Sequence, residues 1–263
     1  MSPRVVLLTK RYPLAAALET RIAATGCLVG VVHEEKPSGL RRSLEDVRKL
    51  AARLGVLRAL DVVAYQVYQR AFRARDLRRH YAALDTRPAA GVPRFTFPTL
   101  NSEEARAAIR ALAPDVLVVH GTGILKPATF ELAPLAVNLH CGVLPEYRGH
   151  DSTFWALRAG DYDRVGCSLH VIDAGVDTGT LIAEARVPCG PGDSDLDAWF
   201  AAFAAGVDLA VGLIETLRRG APPTYRPAVG KPGKHYGRKG LTDYLAFALR
   251  RRHAAGRVLR RAS

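Results

Sequence analysis

The chain has 263 residues, 48% of them hydrophobic. This composition allows a sizeable core in one large domain, or in one domain with an appendage, and argues against disorder or a fibrous repeat. The N-terminus has no long apolar stretch and the four cysteines form no C-x-x-C pair, so we expect a soluble cytoplasmic protein with free thiols and no metal site.

Positive charge is concentrated in two segments. The formal net charge is +13, and residues 41–81 and 226–263 each carry eleven Lys or Arg, against four and one acidic residues respectively. The rest of the chain is mildly acidic. The sequence therefore predicts a basic periphery around a core that is not itself basic.

Short apolar runs alternate with helical patterns along most of the chain. The predicted strands are 4–9, 27–33, 94–98, 115–120, 133–140, 166–172 and 180–188. The predicted helices are 14–24, 101–112 with Asn101 as N-cap, one through Trp155, 193–219 and 241–259. This alternation is typical of the α/β class, with a Rossmann-like, mostly parallel open sheet flanked by helices. The turn 10–13 lacks the glycines of a dinucleotide fingerprint, so a nicotinamide cofactor is not supported.

A basic segment interrupts the alternation. Amphipathic spacing predicts two helices, Ser43 to Leu60 and Val62 to Leu84. We interpret them as a helical insertion, at about 40–90, in a catalytic domain of residues 1–220, followed by a basic Gly/Pro-rich extension, 221–263. The insertion is expected to form a cap or a homodimer face, and peripheral contact with an anionic membrane is an alternative, because basic amphipathic helices bind anionic headgroups.

Polar residues concentrate between 135 and 179. Asn138 and His140 end a predicted strand and, being two residues apart, lie on one face of it. A Pro- and Gly-containing loop follows, and Asp177 lies in a later turn. Taken singly, each residue is equally well explained as a satisfied strand end or a tight turn.

Three segments together resemble a known family. In this order and spacing, Asn138-x-His140, Leu144-Pro145-x-Tyr147-Arg148-Gly149 and Asp173-x-Gly175-x-Asp177-Thr178-Gly179 resemble the 10-formyltetrahydrofolate-dependent formyltransferases. That catalytic domain is shared by glycinamide ribonucleotide, methionyl-tRNA and sugar N-formyltransferases. The resemblance covers roughly residues 4–217. It implies an enzyme that moves a formyl group from 10-formyltetrahydrofolate to a primary amine, without a metal.

The resemblance also implies roles for individual residues. It assigns catalysis to Asn138, His140 and Asp177, and these residue types suit a reaction that needs a donor for a developing oxyanion and a base for the amine. The donor is expected to contact Gly121, Gly123, Ile124, Leu125, Asp173 and Gly175, and the candidate substrate-binding residues are Tyr147, Arg148 and His150. His170 is expected to be a core histidine or one that supports the site.

The acceptor amine is the least determined feature. The turn 10–13 lacks a Gly/Ser-rich phosphate loop, which disfavours a glycinamide ribonucleotide enzyme. Residues 221–263 are too short for the C-terminal barrel of a methionyl-tRNA enzyme, and we expect no N-terminal regulatory domain of the kind that formyltetrahydrofolate hydrolases carry. We therefore expect an anionic small molecule, an amino sugar on a nucleotide or lipid carrier. Methionyl-tRNA is the alternative acceptor, since clustered Lys and Arg also attract nucleic acid, and a non-catalytic protein bound to nucleic acid or membrane is the alternative class.

Overall fold

The computed structural model describes residues 2–37, 39–227 and 233–262, with the backbone alone for 40–43 and 255–262. The strands are β1 (Val5–Thr9), β2 (Leu28–Glu34), β3 (Arg94–Phe97), β4 (Val116–His120), β5 (Leu135–His140), β6 (Arg148–Gly149), β7 (Gly166–Val171), β8 (Leu181–Arg186) and β9 (His235–Tyr236). The helices are α1 (Pro13–Ala23), α2 (Leu40–Leu54), α3 (Val56–Phe72), α4 (Ala74–Ala82), α5 (Glu103–Ala111), α6 (Pro127–Phe130), α7 (Ser152–Ala159), α8 (Asp195–Arg218) and α9 (Leu241–Ala262).

One sheet organises the described part of the chain, in the order β3-β2-β1-β4-β5-β7-β8. The first five of these strands pair in parallel, and β7 and β8 pair antiparallel. Every residue of β1 and β4 is buried, as expected of strands covered by helices on both faces. The predicted α/β class with a mostly parallel sheet is confirmed.

Helices form a layer on each face of the sheet. One apolar cluster joins the sheet to α1 and α8, and a second joins its other face to α5. Within the residues that the structure describes, α8 is the one helix that is long and apolar enough to cross a membrane by length and composition. Its side chain Phe203 is nevertheless fully buried against the sheet, so α8 is a core helix.

The insertion contains three helices, where the sequence predicted two. Helix α2 ends at Leu54, six residues before the predicted end at Leu60, and Gly55, at φ 85°, is its C-cap. A non-helical residue, Arg73, then separates α3 from α4. Apolar spacing continues through both breaks, so it could not locate them.

The cap of α5 is also shifted by one residue from the prediction. Ser102 Oγ accepts a hydrogen bond from the Ala105 amide at 3.2 Å, so Ser102 is the N-cap. The predicted cap, Asn101, instead donates to the Ile124 carbonyl at 2.9 Å and accepts from the Lys126 amide at 2.8 Å. Asn101 therefore holds the loop after β4.

The C-terminal extension packs against the insertion. Helix α9 lies on α3, and β9 pairs with β6. A third apolar cluster joins Tyr65 of α3 to Phe154 of α7 and to Tyr244 and Phe247 of α9. Residues 228–232 of the predicted Gly/Pro-rich extension lie outside the described residues.

Candidate active site

Three predicted catalytic residues lie together at the carboxyl end of β5. The distance from Asn138 Nδ2 to Asp177 Oδ1 is 3.4 Å, and that from His140 Nδ1 to Asp177 Oδ2 is 3.6 Å. The side chains of His140 and Asp177 are only 9% and 10% exposed. The structure therefore brings an amide, an imidazole and a carboxylate into one nearly enclosed cluster.

The turn that carries Asp177 is built by its own polar residues. Asp173 Oδ1 accepts from the Gly175 amide at 3.0 Å and from Thr178 Oγ1 at 2.7 Å. A side chain on Gly175 would collide with Thr178, and Asp177 adopts a left-handed conformation at φ 51°. Asp173 and Gly175, expected to contact the donor, have a clear part in shaping this turn.

A second loop fixes the carboxylate from the opposite side. The Gly149 amide donates to Asp177 Oδ2 at 2.8 Å. Gly149 has φ 92°, and a Cβ there would collide with the backbone oxygen of Tyr236, so this position requires glycine. Arg148 Nη2 donates to the Val176 carbonyl at 2.8 Å and ties the two loops together.

The protonation of His140 follows from its hydrogen bonds. Nε2 lies 2.8 Å from the backbone oxygen of Tyr147; because a carbonyl only accepts, Nε2 carries a proton. In the neutral ring, Nδ1 is thus an acceptor facing Asp177. Burial lowers the pKa of His140, and Asp177 opposes this only in part, so the neutral ring is favoured near pH 7.

Asp177 remains ionised beside this imidazole. Burial acts to raise its pKa, but the contact with His170, the charge of His140 and the Gly149 amide outweigh burial and hold the pKa well below its usual range. A neutral base beside a permanent negative charge is a suitable arrangement for accepting a proton, because the imidazolium that forms is stabilised at once.

His170 belongs to this cluster, although the sequence did not identify it as more than a core or supporting residue. In the antiparallel β5–β7 pair it stands directly opposite Asn138, so the two side chains share a face. Its Nε2 lies 3.1 Å from Asn138 Nδ2 and 3.5 Å from Asp177 Oδ1. Its Nδ1 lies 2.8 Å from the Val171 carbonyl and therefore carries a proton, and its Nε2 faces both the Asn138 amide and the Asp177 carboxylate.

Two residues expected to bind substrate, Tyr147 and Arg148, make contacts that support the site. Tyr147 is buried, and its hydroxyl donates to the Asp161 carboxylate. Its contribution to the site is the backbone oxygen that orients His140. The guanidinium of Arg148 is directed to the Val176 carbonyl. Of the three substrate-binding candidates, His150 lines a cavity.

The loop after β4, residues 121–125, lies at the same edge of the sheet. Gly121 has φ 70°, and the Gly123 amide donates to the buried Glu34 carboxylate at 2.7 Å. The Ile124 side chain is 71% exposed, whereas Leu125 is buried in the core. The loop therefore offers Ile124, rather than Leu125, as an apolar surface for a ligand.

A cavity of about 510 Å³ opens beside the cluster. His140 and His150 lie at the catalytic end, α3 of the insertion forms one wall, and the first turns of α7 and α8 form another. This volume is within the usual range for sites that bind small molecules. The insertion thus contributes directly to the surroundings of His140.

The protein is thus an α/β protein with an amide, an imidazole and a carboxylate at the carboxyl edge of its sheet. Acyl-group transfer requires polar groups of these types. A sequence profile described as formyl transferase matches residues 48–201, more than half of the chain. The chain belongs to the formyl transferase family.

Curated relatives share part of the sequence. The methionyl-tRNA formyltransferase of Burkholderia vietnamiensis is 36% identical over 170 residues, which cover 60% of this chain and 51% of that protein. That of Koribacter versatilis is 37% identical over 121 residues, 45% of this chain and 38% of the relative. The chain therefore spans about half or less of the length of these relatives.

Solved structures share the fold at lower sequence identity. A sugar N-formyltransferase from Shewanella gives a TM-score of 0.57 at 14% identity, over 95% of this chain and 88% of that one. A phosphoribosylglycinamide formyltransferase from Anaplasma phagocytophilum gives 0.56 at 18%, over 88% and 95%. An N-formyltransferase from Helicobacter canadensis, in complex with folinic acid and dTDP-3-aminofucose, gives 0.55 at 15%, over 90% and 71%.

Proposed function

We propose that this protein transfers the formyl group of 10-formyltetrahydrofolate to the primary amine of an amino sugar carried on a nucleotide or lipid. The observation that carries the proposal is the convergence of Asn138, His140 and Asp177 beside a cavity of about 510 Å³. Membership of the formyl transferase family supports the reaction class.

Each member of the cluster has a role that its contacts support. Asn138 directs one N–H to His170 at 3.1 Å, while its contact with Asp177 is long, at 3.4 Å. The longer of these contacts, to Asp177, is the weaker one, and we expect this N–H to turn to the formyl oxygen as negative charge develops there. His140 Nδ1 accepts a proton from the attacking amine, directly or through water, and Asp177 stabilises the resulting imidazolium.

The donor is proposed to lie along residues 121–125. When bound, 10-formyltetrahydrofolate supplies an activated formyl group. This loop follows β4 directly, and β4 is hydrogen-bonded to β5, with Val119 in register with Asn138, so a ligand on the loop reaches the cluster. The exposed side chain of Ile124 supplies an apolar contact surface. The folinic acid complex of the Helicobacter canadensis protein supports a folate donor for this fold.

A small-molecule acceptor is favoured by the size of the cavity and by the dTDP-3-aminofucose complex of the same structural relative. Methionyl-tRNA is the second candidate, because the curated relatives are methionyl-tRNA formyltransferases. We further propose that residues 1–220 form the catalytic domain, that 221–263 form a basic Gly/Pro-rich extension from which Arg238 and Lys239 line the cavity, and that the protein acts in the cytoplasm.

A screen of acceptors tests the proposal. The purified full chain is given 10-formyltetrahydrofolate with a panel of nucleotide-linked amino sugars, or with methionyl-tRNA, and release of tetrahydrofolate is followed spectrophotometrically. We expect turnover with at least one amino sugar and none with methionyl-tRNA. Turnover with methionyl-tRNA alone would replace the amino sugar, and no consumption of the donor with any acceptor would contradict the enzyme proposal.

A further inference from the structure

Two glutamines occur in the whole sequence, and both face the same cavity. Gln66 and Gln69 are three residues apart on α3, so they lie on one face of the helix, together with the cavity-lining Val62 and Tyr65. Both are half-buried, and neither side-chain amide hydrogen-bonds to any residue that the structure describes. Two half-buried amides thus face the cavity side by side.

The floor of the cavity carries charges that cancel one another. Asp195 accepts from Arg73 at 2.7 and 3.0 Å and from Lys239 Nζ at 2.9 Å. Lys239 Nζ also lies 3.9 Å from Asp151. Two cations and two carboxylates therefore neutralise one another, and the inner wall presents a surface without net charge.

The opening of the cavity is positively charged. Arg238 lines it beside His150, and Arg238 makes no ion pair with the part of the chain that is described. The pKa of His150 is lowered first by burial and next by the charge of Arg238, while Asp151 opposes the shift and His235 and Lys10 add to it. Arg238 is therefore the cation that the C-terminal extension places at this opening, whereas Lys10 lies outside the cavity lining and pairs with Glu34 at 3.9 Å.

We propose that this cavity binds a phosphorylated amino sugar, with its ring hydroxyls on Gln66 and Gln69 and its phosphate at Arg238. A glutamine amide both donates and accepts, as a sugar hydroxyl does, and it matches a neutral ring better than a charged side chain would. The cationic opening matches a phosphate. This inference rests on the proposed function and specifies the acceptor that the insertion and the extension jointly select.

The test is equilibrium binding without turnover. The full chain is titrated with glucosamine 1-phosphate, glucosamine and inorganic phosphate by isothermal titration calorimetry, without folate. Wild type is expected to bind glucosamine 1-phosphate at least about tenfold more tightly than either fragment. Gln66→Ala with Gln69→Ala should weaken that binding about tenfold, because two hydrogen bonds are lost. Val67→Ala, on the exposed face of the same helix, is the matched control and should bind as wild type.

The phosphate part of the site is tested separately. Arg238→Ala should reduce binding of glucosamine 1-phosphate to about that of glucosamine and leave glucosamine unaffected. The inference is overturned if the double glutamine variant binds like wild type. It is equally overturned if inorganic phosphate binds as tightly as glucosamine 1-phosphate, or if no sugar phosphate binds saturably.

Folinic acid, titrated into the same samples, separates this inference from the proposed function. Binding of folinic acid without binding of the sugar phosphate would leave a folate enzyme with a different acceptor. Glutamine-dependent binding of the sugar phosphate without binding of folinic acid would leave the inference standing and contradict formyl transfer.

Discussion

Asp195 joins the insertion, the sheet layer and the C-terminal extension at a single buried carboxylate. Its side chain is 2% exposed and is shared by Arg73 of the insertion and Lys239 of the extension. Burial acts to raise its pKa, but these two cations outweigh burial and hold the pKa well below its usual range. Asp195→Asn keeps the shape and removes the charge.

The expected loss of stability is large. The variant leaves two buried cations with one carboxylate, Asp151, which lies 3.9 Å from Lys239. Breaking a buried ion pair by removing one partner costs about 3–5 kcal/mol, a substantial part of a typical unfolding free energy of roughly 5–15 kcal/mol. For a chain of this size the same loss lowers Tm by roughly 6–20 °C.

The protein's two tryptophans allow a direct assay. Trp199 lines the cavity, and Trp155 Nε1 donates to the Gly237 carbonyl of the extension. Urea denaturation followed by tryptophan fluorescence and by far-UV circular dichroism therefore reports on this junction and on the whole fold.

A matched surface pair supplies the control. Asp208 is 66% exposed and pairs with Arg21 at 2.7 Å, so Asp208→Asn should cost less than about 1 kcal/mol. If Asp195→Asn costs no more than this control, the buried network does not hold the three parts together.

His120, His140 and Gly149 each have a burial or a backbone geometry whose effect can be measured. Burial lowers the pKa of His120 to about 4, and its hydrogen bond to the Leu139 carbonyl opposes this shift only in part. Below pH 6.5 the unfolded chain therefore binds a proton at His120 that the folded chain does not bind. The neutral His120 therefore contributes about 3 kcal/mol to the unfolding free energy above pH 6.5, and this contribution is lost between pH 6.5 and 4. In denaturation at several pH values, the unfolding free energy of His120→Asn should decline less steeply over this range than that of wild type. An unchanged slope would contradict this. Because the pKa of His140 is also lowered, the acid limb of kcat/KM should have its inflection below pH 6.5, and an inflection above that value would remove His140 as the base. Gly149 has φ 92°, and a Cβ at this position would collide with Tyr236. Gly149→Ala should therefore introduce strain of about 1–3 kcal/mol, lower Tm and reduce kcat at least about tenfold. Wild-type values of Tm and kcat would contradict the requirement for glycine.

Much of the fold could be predicted from the sequence, because burial on both faces leaves unbroken apolar strands and a long apolar core helix. The predicted strands correspond to the observed ones within a few residues. The break at Gly55 could not be predicted, because it depends on a local backbone conformation that apolar periodicity does not reveal. The packing of α9 on α3 depends on contacts far apart in the chain.

The candidate site, like the fold, could be predicted from the sequence only in part. Asn138 and His140 could be placed together from strand geometry, and the resemblance added Asp177. His170 could not be assigned, because its position opposite Asn138 depends on the antiparallel direction of β7. The supporting position of Tyr147 depends on a distant partner, Asp161, which local sequence does not indicate.

The cluster around Asn138 is proposed to catalyse formyl transfer. Its most direct test is the rate of tetrahydrofolate release from 10-formyltetrahydrofolate with an accepted amino sugar, compared between wild type and Asn138→Ala at matched fold integrity by circular dichroism. Loss of the donor for a developing oxyanion should lower kcat about 10²–10³-fold with an unchanged spectrum. A correctly folded Asn138→Ala variant with near-wild-type kcat would contradict the account.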